Sequence, residues 1–385
     1  MHTFRFPVQV IFGEGSLQEI RRFAHSFGKH ALLVTGSGPT SELPAVETLT
    51  GLLRREGVQV THFAEAESDP SVETVERGVA LAREKGCDFF IGLGGGSPMD
   101  AAKVIAARMN NEADVSSWEG SGQIPRRAKP IICVPTTSGT GSEVTCVAVI
   151  TGGKRRQKMS IVSQNIFPIL AIIDPELAYT MPPELTAATG MDALSHAVES
   201  YVSKRAWELT RSLALKAVQL IFSNLERACQ DGQDREARRQ MSMASFLAGM
   251  SFTLSGLGLV HALAYALGSH FGMHHGTANA VLLPHVMRFN APSCPELYRE
   301  LAAAMNASVS GLPALQAAEK AVEAVRELLS SLPLPASLGQ AGLPENSVET
   351  LAAEAFLHTR FRSSNPRDTV LDDLTEVLRQ AFRGG

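Results

Sequence analysis

Up to about residue 175, short apolar runs alternate with segments in which apolar residues recur every three or four positions. The short runs have the length of buried strands and end in turn residues, whereas the recurring pattern is typical of amphipathic helices. This alternation predicts an α/β fold with a parallel sheet covered by helices on both faces. The predicted strands are HALLVTG (30–36), VQVTHF (58–63), CDFFIGLGGG (87–96), PIICVPTT (130–137) and ILAIIDP (169–175).

Strand-like runs disappear after about residue 180, and the remaining pattern is helical, as in ELTAATGMDALSHAVESYVS (184–203). Pro182 and Pro183 precede that segment, and proline favours the first turn of a helix. The chain of 385 residues is long enough for two domains. We therefore expect an α/β dinucleotide-binding domain over residues 1–180 and an all-helical metal- and substrate-binding domain over residues 181–385.

Composition and charge restrict the class of partner. Apolar residues make up 44% and charged residues 19% of the chain, which is typical of a globular protein. The net charge of -4 provides no basic surface, so we expect no nucleic acid or membrane partner. Five cysteines without a C-x-x-C pair predict neither a disulfide framework nor a cysteine zinc site. Together with an N-terminus unlike a signal peptide, they favour a cytoplasmic protein.

One stretch of the helical half carries no charge at all. Between Arg239 and Arg288 there is no Asp, Glu, Lys or Arg. A membrane span needs about 20 predominantly apolar residues, and here serine, threonine, glycine and histidine interrupt the run repeatedly. We therefore expect buried helices at the centre of the second domain.

Two segments rich in glycine and hydroxyl groups follow predicted strands: GLGGGSPMDAAK (92–103) and PTTSGTGSEVT (135–145). Glycines let the backbone approach a ligand closely, and a helix beginning near Ser97 presents free N–H groups to a phosphate. The first segment alone fits a tight turn capped by Ser97 equally well, because its spacing differs from the usual dinucleotide fingerprint. Two such segments at the carboxyl ends of strands favour a bound dinucleotide.

Potential metal ligands are concentrated in two segments of the helical half. Asp192 and His196 are four residues apart and so share one face of the predicted helix. Farther along, VHALAYALGSHFGMHHGTANAVLLPHV (260–286) supplies five histidines without a carboxylate. One oxygen and several imidazole nitrogens suit Fe(II) or Zn(II). From spacing alone, a metal site and separate hydrogen-bonded core histidines are equally open, and His285 after Pro284 has the context of a structural residue.

Taken together, these motifs resemble those of the iron-containing (group III) alcohol dehydrogenases. GGGSPMDAAK, PTTSGTGSEVT, MPPELTAATGMDALSHAVESYVS, GLGLVHALAYALG and HHGTANAVLLPHVMRFN occur in the family's order, and the resemblance covers nearly the whole chain. It implies a dehydroquinate-synthase-like architecture, NAD or NADP as cofactor, and one divalent metal, Fe(II) before Zn(II). By resemblance, the metal ligands are Asp192, His196, His261 and His275. The cofactor contacts fall by resemblance on Gly95, Gly96, Ser97, Asp100, Thr136, Thr137, Thr140, Lys158 and Leu177.

Two positions depart from the family's pattern. Many members carry an aspartate after the second strand that holds the ribose hydroxyls, whereas this chain has Gly36 and Ser37 there. Without that carboxylate a 2′-phosphate is not repelled, so NADP(H) becomes acceptable and Ser37 can hydrogen-bond it. Tyr265 replaces a histidine that helps proton transfer in many relatives. Because an unperturbed phenol ionises only at about pH 10, we expect Tyr265 to shape the substrate pocket, with catalysis as the alternative.

The resemblance implies a metal-dependent, NAD(P)-linked alcohol dehydrogenase or aldehyde reductase that acts on a small-molecule alcohol or aldehyde. It also implies a homodimer or a higher homo-oligomer. Phe252 and Phe361 fall where relatives line the substrate pocket, and either is equally suited to a core.

Three alternative functions remain. A metal-free maleylacetate-reductase-like enzyme typically lacks a full ligand set, whereas all four ligand positions are intact in this chain. A dehydroquinate-synthase-like lyase needs clustered Lys and Arg to grip its substrate, which the uncharged stretch does not offer. A non-catalytic nucleotide sensor is the third, and intact ligands argue against it.

Overall fold

The computed structural model describes residues 4–152 and 157–384. The chain forms two compact units. The first contains the residues up to Thr137 together with Gly141–Tyr179, and the second contains Ser138–Thr140 and the residues from Thr180 onward. Three residues of the threonine-rich segment thus belong to the helical unit. The domain division at residues 180 and 181 stays a prediction.

Parallel strands form the centre of the first unit. The strands in the described ranges are β1 (Gln9–Phe12), β2 (His30–Gly36), β3 (Gln59–Ala66), β4 (Phe89–Gly94), β5 (Gly120–Ser121), β6 (Ile131–Pro135), β7 (Val147–Gly152), β8 (Gln157–Val162) and β9 (Leu170–Ile173). Among the described residues, six strands form a parallel sheet in the order β1-β9-β6-β4-β2-β3. The predicted parallel sheet is confirmed.

Both faces of this sheet are covered, which explains the continuous apolar runs of its central strands. Successive side chains of a strand point to opposite faces. In β2, Leu32 and Val34 therefore enter one hydrophobic core, which also contains Phe90. Leu33 enters the other core, together with Leu49. A strand buried on both faces has no polar alternation, which is why its sequence is apolar throughout.

A smaller sheet was not expected from the sequence. It has the order β5-β8-β7, and β7 pairs with β8 in antiparallel register. Buried and partly buried residues alternate in the first four positions of β7, so it lacks the uninterrupted apolar run that marks the central strands. The edge strand β1 was missed for a related reason, since none of its residues is fully buried.

The helices of the first unit lie between the strands of the larger sheet along the chain. They are α1 (Ala24–Phe27), α2 (Pro44–Arg55), α3 (Val72–Lys85) and α4 (Gly96–Arg108). The helix α3 has the ends that its sequence predicts: the Ser71 side chain accepts from Thr74 N–H, and Gly86 ends the helix in the left-handed region at a φ of 69°. The cap of α4 is Gly95 and not Ser97.

The second unit is helical, as predicted. Its helices are α5 (Pro183–Val202), α6 (Glu208–Gln230), α7 (Arg235–Ser255), α8 (Leu259–Phe271), α9 (His275–Asn290), α10 (Pro295–Ala304), α11 (Ala314–Ser331), α12 (Val348–Leu357), α13 (Thr359–Ser364) and α14 (Leu371–Arg383). The described chain also contains the 3₁₀ helices Ser16–Arg22, Gly38–Glu42, Val115–Trp118, Ser142–Val144, Gln164–Ile166, Pro175–Ala178, Ala291–Ser293 and Glu345–Ser347. Helices α6, α7 and α9 pack against α5, so α5 is buried nearly all round.

The uncharged stretch forms most of α7, the whole of α8 and most of α9. Most of its residues are buried, so the expected buried helices are confirmed. No single helix in the described ranges is long and apolar enough to cross a membrane. Helices α7 and α8 meet that test only as a pair, and the pair is bent by 103°.

Candidate metal centre and nucleotide loops

Three of the predicted metal ligands converge within the second unit. Asp192 Oδ1 on α5 lies 3.7 Å from His275 Nε2 and 4.0 Å from His261 Nε2. These three ligand atoms lie within 4.8 Å of one another. Atoms bound to one ion at about 2.1 Å lie about 3 to 3.5 Å apart, so a shift of about half an ångström would complete the site.

The fourth predicted ligand, His196, reaches the same place from the next turn of α5. Its Nε2 lies 3.7 Å from Asp192 Oδ1, and its ring stacks on that of His261 with centroids 4.8 Å apart. Its Nδ1 lies 3.2 Å from the carbonyl oxygen of Gly139, so Nδ1 carries the proton and Nε2 presents its lone pair toward Asp192. Burial lowers the pKa of His196 to about 4 despite the opposing effect of Asp192, so the imidazole is neutral at neutral pH.

The carboxylate at the centre of the cluster is charged. Burial raises the pKa of Asp192, but the neighbouring imidazoles and the amide of Asn279 outweigh burial and lower it below its usual range. A buried carboxylate surrounded by imidazole nitrogens has the composition of a site for a borderline divalent cation. The donor set therefore fits Fe(II) or Zn(II).

The side-chain amide of Asn279 lies where the lone pairs of three candidate ligands converge. Its Nδ2 lies 2.6 Å from Asp192 Oδ1, 3.2 Å from His275 Nε2 and 3.4 Å from His261 Nε2. Three acceptors therefore face one donor, and a cation would satisfy the same acceptors. On the other side of the amide, the buried Oδ1 of Asn279 has no hydrogen-bond partner among the described residues.

Aromatic side chains flank these imidazoles. Phe252 stacks on His196 with ring centroids 4.5 Å apart. Tyr265 meets the ring of His275 edge-on at 5.9 Å and the ring of Phe361 at 5.2 Å. All three aromatic side chains are largely buried, so the ligands have an apolar surround that limits access of water.

The remaining histidines of the uncharged stretch do not join the cluster. His270 is paired with Glu354 of α12. His274 is exposed, and His285 is buried on α9, where burial and nearby arginines lower its pKa to about 4. His285 thus has the structural context that its sequence neighbourhood suggested.

The two glycine- and hydroxyl-rich segments meet within the first unit. Thr136 N–H donates to the carbonyl of Gly94 at 2.9 Å, which joins the ends of β6 and β4. A Cβ atom added at Gly95 would lie 3.6 Å from Thr137 Oγ1, in ordinary van der Waals contact, so the second loop passes close to Gly95. Gly96 is the first residue of α4. The predicted phosphate site depends on the free N–H groups at this helix N-terminus.

Ser97 and Lys158 are connected through Asp69, which the sequence analysis did not single out. Asp69 N–H donates to Ser97 Oγ at 3.3 Å, and Lys158 Nζ lies 2.8 Å from Asp69 Oδ1. Asp69 has a φ of 57°, a left-handed conformation that aspartate tolerates better than most residues. A buried lysine is thus held near the predicted phosphate loop.

Asp100 has its partners within the first unit. Its carboxylate accepts from Ser142 Oγ at 2.6 Å and from Val149 N–H at 2.8 Å. The fully buried Lys103 lies 3.5 Å from it. Asp100 therefore ties the start of α4 to the threonine-rich loop, while its predicted contact with the cofactor stays a prediction.

The other predicted cofactor residues lie at ends of strands or in loops. Gly36 is buried at the end of β2, and Ser37 is exposed with its N–H donating to Ala66 O at 3.2 Å. Leu177 packs against one of the two cores of the sheet. Thr140 belongs to the second unit, next to the Gly139 carbonyl that contacts His196.

Glu199 and Asn279 are the site residues that the sequence analysis missed. The Glu199 carboxylate lies 2.6 Å from His261 Nδ1. Helical spacing was the available signal, because Glu199 follows Asp192 by seven residues and Asn279 follows His275 by four. In the first unit, Glu143 of the threonine-rich loop was also missed. Burial raises the pKa of its carboxyl to about 7.

Comparison with known proteins gives one consistent picture. Residues 7–175 match the family model for iron-containing alcohol dehydrogenase, and residues 186–382 match the C-terminal model of the Fe-containing alcohol dehydrogenase family. The chain is 41% identical over 384 residues to a 1,3-propanediol dehydrogenase of Klebsiella pneumoniae, covering 99% of each. It is 36% identical over 383 residues to an NAD-dependent methanol dehydrogenase of Bacillus methanolicus, covering 99% of this chain and 100% of the relative. A solved structure of 1,3-propanediol oxidoreductase has a TM-score of 0.96 and 38% identity, covering 99% of this chain and 100% of that one.

Proposed function

This chain belongs to the iron-containing alcohol dehydrogenase family, and we propose that Asp192, His196, His261 and His275 hold the metal at which it acts. It is an NAD(P)-linked oxidoreductase that interconverts alcohols and aldehydes. The observation that carries the ligand assignment is the convergence of Asp192 Oδ1 with His261 Nε2 and His275 Nε2. We propose Fe(II) as the physiological metal, with Zn(II) as the alternative.

The residues of the site have separable roles in this reaction. A metal held by these ligands would supply polarisation of the substrate oxygen, and a bound nicotinamide would supply or accept the hydride. Asp192 supplies the negative charge of the ligand set, and neutral imidazoles supply the remaining lone pairs. Phe252, Tyr265 and Phe361 keep the surroundings apolar, which strengthens electrostatic interactions at the reacting atoms.

The activity is tested by following the absorbance of the reduced nicotinamide with metal-loaded protein and a series of aldehydes and alcohols. The aromatic surround and the relatives named for methanol and 1,3-propanediol support small primary alcohols and diols as the substrate class. Turnover that is lost with a chelator and restored by Fe(II) supports the metal site. Turnover unaffected by complete removal of metal would instead favour the metal-free, maleylacetate-reductase-like reaction.

We propose that the enzyme accepts NADPH, because Gly36 and Ser37 place no carboxylate after β2. The substitution Gly36→Asp is expected to lower kcat/KM for NADPH by about fivefold or more relative to NADH. Two like charges about 4 Å apart repel by roughly 1 to 4 kcal/mol near a protein surface, and about 1.4 kcal/mol is tenfold. Steady-state kinetics with both cofactors measures this ratio.

The neutral variant Gly36→Asn is the matched control for the new side chain at this position. It has nearly the same volume as the aspartate and no charge, so it should keep the cofactor preference of the unmodified enzyme. Equal effects of Asn and Asp on the NADPH to NADH ratio would contradict the electrostatic explanation.

Tyr265 is expected to shape the substrate pocket without transferring a proton. The substitution Tyr265→Phe keeps the ring against His275 and Phe361, so kcat/KM should stay within about threefold of wild type, with an unchanged pH profile. A general acid or base contributes about 10² to 10⁴ in rate, so a loss of that size in Tyr265→Phe would assign the hydroxyl to catalysis instead. The control Tyr265→Ala, which removes the ring, should change the preference among aldehydes of different length.

Two further assignments stay predictions. We propose a reducing, cytoplasmic setting, which suits five cysteines that form no disulfide among the described residues. We propose a homodimer or higher homo-oligomer, which sedimentation of the purified protein tests directly.

A further inference from the structure

A buried carboxylate behind the candidate metal ligands contacts two groups at the start of α8. Glu199 lies on α5 and is 4% exposed. Its Oε1 accepts from Val260 N–H at 2.6 Å, and its Oε2 lies 2.6 Å from His261 Nδ1. Val260 and His261 both belong to the first turn of α8. One side chain thus binds the N-terminus of a helix and an imidazole of the same turn.

We propose that Glu199 is a positioning residue that fixes the tautomer and the ring orientation of His261. Oε1 already accepts from a backbone N–H, and the contact between Oε2 and the imidazole needs one proton, which we assign to Nδ1 of His261. A neutral imidazole protonated at Nδ1 carries its free lone pair on Nε2. That Nε2 is the atom that faces Asp192 Oδ1 at 4.0 Å.

The placement of Glu199 follows from its register on α5. It is seven residues after Asp192, which is about two helical turns, so both carboxylates lie on one face. The helix α5 therefore carries the candidate ligands Asp192 and His196 and also directs a third ligand that belongs to α8. Acidic groups stabilise a helix N-terminus, so the same contact fixes where α8 begins.

The start of α8 is built to admit this carboxylate. Gly258 precedes the helix as its cap residue. A Cβ atom there would lie 3.0 Å from Glu199 Oε1 and equally close to Asn365 Oδ1, tighter than most contacts of this kind. The absent side chain thus leaves room for the carboxylate to reach Val260 N–H and His261 together.

The substitution Glu199→Gln separates the positioning role from simple helix capping. Both neighbours of Glu199 are donors, and a carboxylate can accept from both, whereas an amide has one acceptor and one donor group. If the amide oxygen keeps Val260 N–H, its NH₂ group faces Nδ1 and favours the tautomer protonated at Nε2. That tautomer carries its lone pair on Nδ1 and has none on Nε2, the atom that faces Asp192.

The expected result is that Glu199→Gln binds Zn(II) about 10- to 100-fold more weakly than wild type, measured by competition with a chromogenic chelator. Loss of the group that hydrogen-bonds the other ring nitrogen of a metal-bound histidine typically has an effect of this size. The matched control is Glu354→Gln, because Glu354 also pairs with a histidine of α8, His270, which lies outside the cluster. The control should keep the Zn(II) affinity of wild type.

A measurement on the unmodified protein keeps the proposal testable if Glu199→Gln does not fold. In ¹⁵N-histidine spectra of the Zn(II)-loaded protein, the signal absent from His261→Gln should show a protonated Nδ1 and a metal-bound Nε2. A His261 protonated at Nε2 overturns the proposal. So does a folded Glu199→Gln variant whose Zn(II) affinity is within threefold of wild type.

This inference rests on the proposed metal site, and the two can fail separately. If wild type binds neither Zn(II) nor Fe(II), the proposed ligand set is wrong, and the proposed role of Glu199 is wrong as well. If wild type binds the metal and Glu199→Gln binds it equally well, the ligand set stands and only the positioning role is wrong.

Discussion

Replacing His275 with alanine is expected to release the bound metal and to lower kcat/KM by about 10³-fold or more. Stabilisation of the reacting oxygen by a metal is worth several kcal/mol, and about 1.4 kcal/mol corresponds to tenfold in rate. The His275 side chain is 29% exposed, so its removal opens no enclosed cavity and the fold should persist. Elemental analysis of the purified variant, together with steady-state kinetics of aldehyde reduction, measures both effects.

The adjacent histidine provides the control. His274 is exposed, and its side chain makes no capping hydrogen bond to α9. The variant His274→Ala should therefore retain wild-type metal content and wild-type kcat/KM. Wild-type metal content in His275→Ala would remove His275 from the ligand set. Equal losses in the two variants would mean that the effect comes from the start of α9 and not from ligation.

The central strands can be predicted from the sequence because burial on both faces gives each of them a continuous apolar run. The run HALLVTG at 30–36 coincides with β2, since every strand at the centre of the sheet is covered by helices on both sides. The pair β7 and β8 was not predicted because it lacks such a run. Buried and partly buried residues alternate in the first four positions of β7, and the two strands depend on each other for pairing, which a local pattern does not contain.

The ligand set shows a similar limit. Helical periodicity alone puts Asp192 and His196 on one face of α5. It cannot choose among the five histidines that follow, because their convergence depends on how α8 and α9 approach α5. The structure turns His261 and His275 toward Asp192, whereas His270 pairs with Glu354. The resemblance to the family selects the same two histidines as ligands.

The residues behind the ligands were harder to predict for a physical reason. Helical spacing puts Glu199 on the face of Asp192, but its partner is a backbone N–H 61 residues away along the chain, which no local pattern marks. Asn279 is recognisable only once His275 is known to be a ligand, because the two share a face of α9. Metal ligands can thus be proposed from residue types, whereas the groups that orient them are identified only when the packing of the helices is known.

Replacing Gly276 with alanine is expected to weaken both the fold and the metal site. A Cβ atom at Gly276 would lie 2.2 Å from the carbonyl oxygen of Ala188, a backbone atom of α5. That carbonyl lies four residues before Asp192 and is the helical acceptor for the Asp192 N–H. The helix α9 would have to move away by about an ångström, and His275 would move with it.

We expect Gly276→Ala to lower the free energy of unfolding by about 1 to 3 kcal/mol, as overpacking does. Misplacement of a site by about 1 Å costs about 10²-fold in rate, and metal affinity should fall in parallel. The control is Gly51→Ala in α2, where a Cβ atom meets nothing within 4 Å and alanine favours the helix by about 0.5 to 1 kcal/mol. The same chemical change should therefore stabilise one helix and damage the other. A Gly276→Ala variant with wild-type unfolding free energy and Zn(II) affinity would show that α9 does not need this close approach to α5.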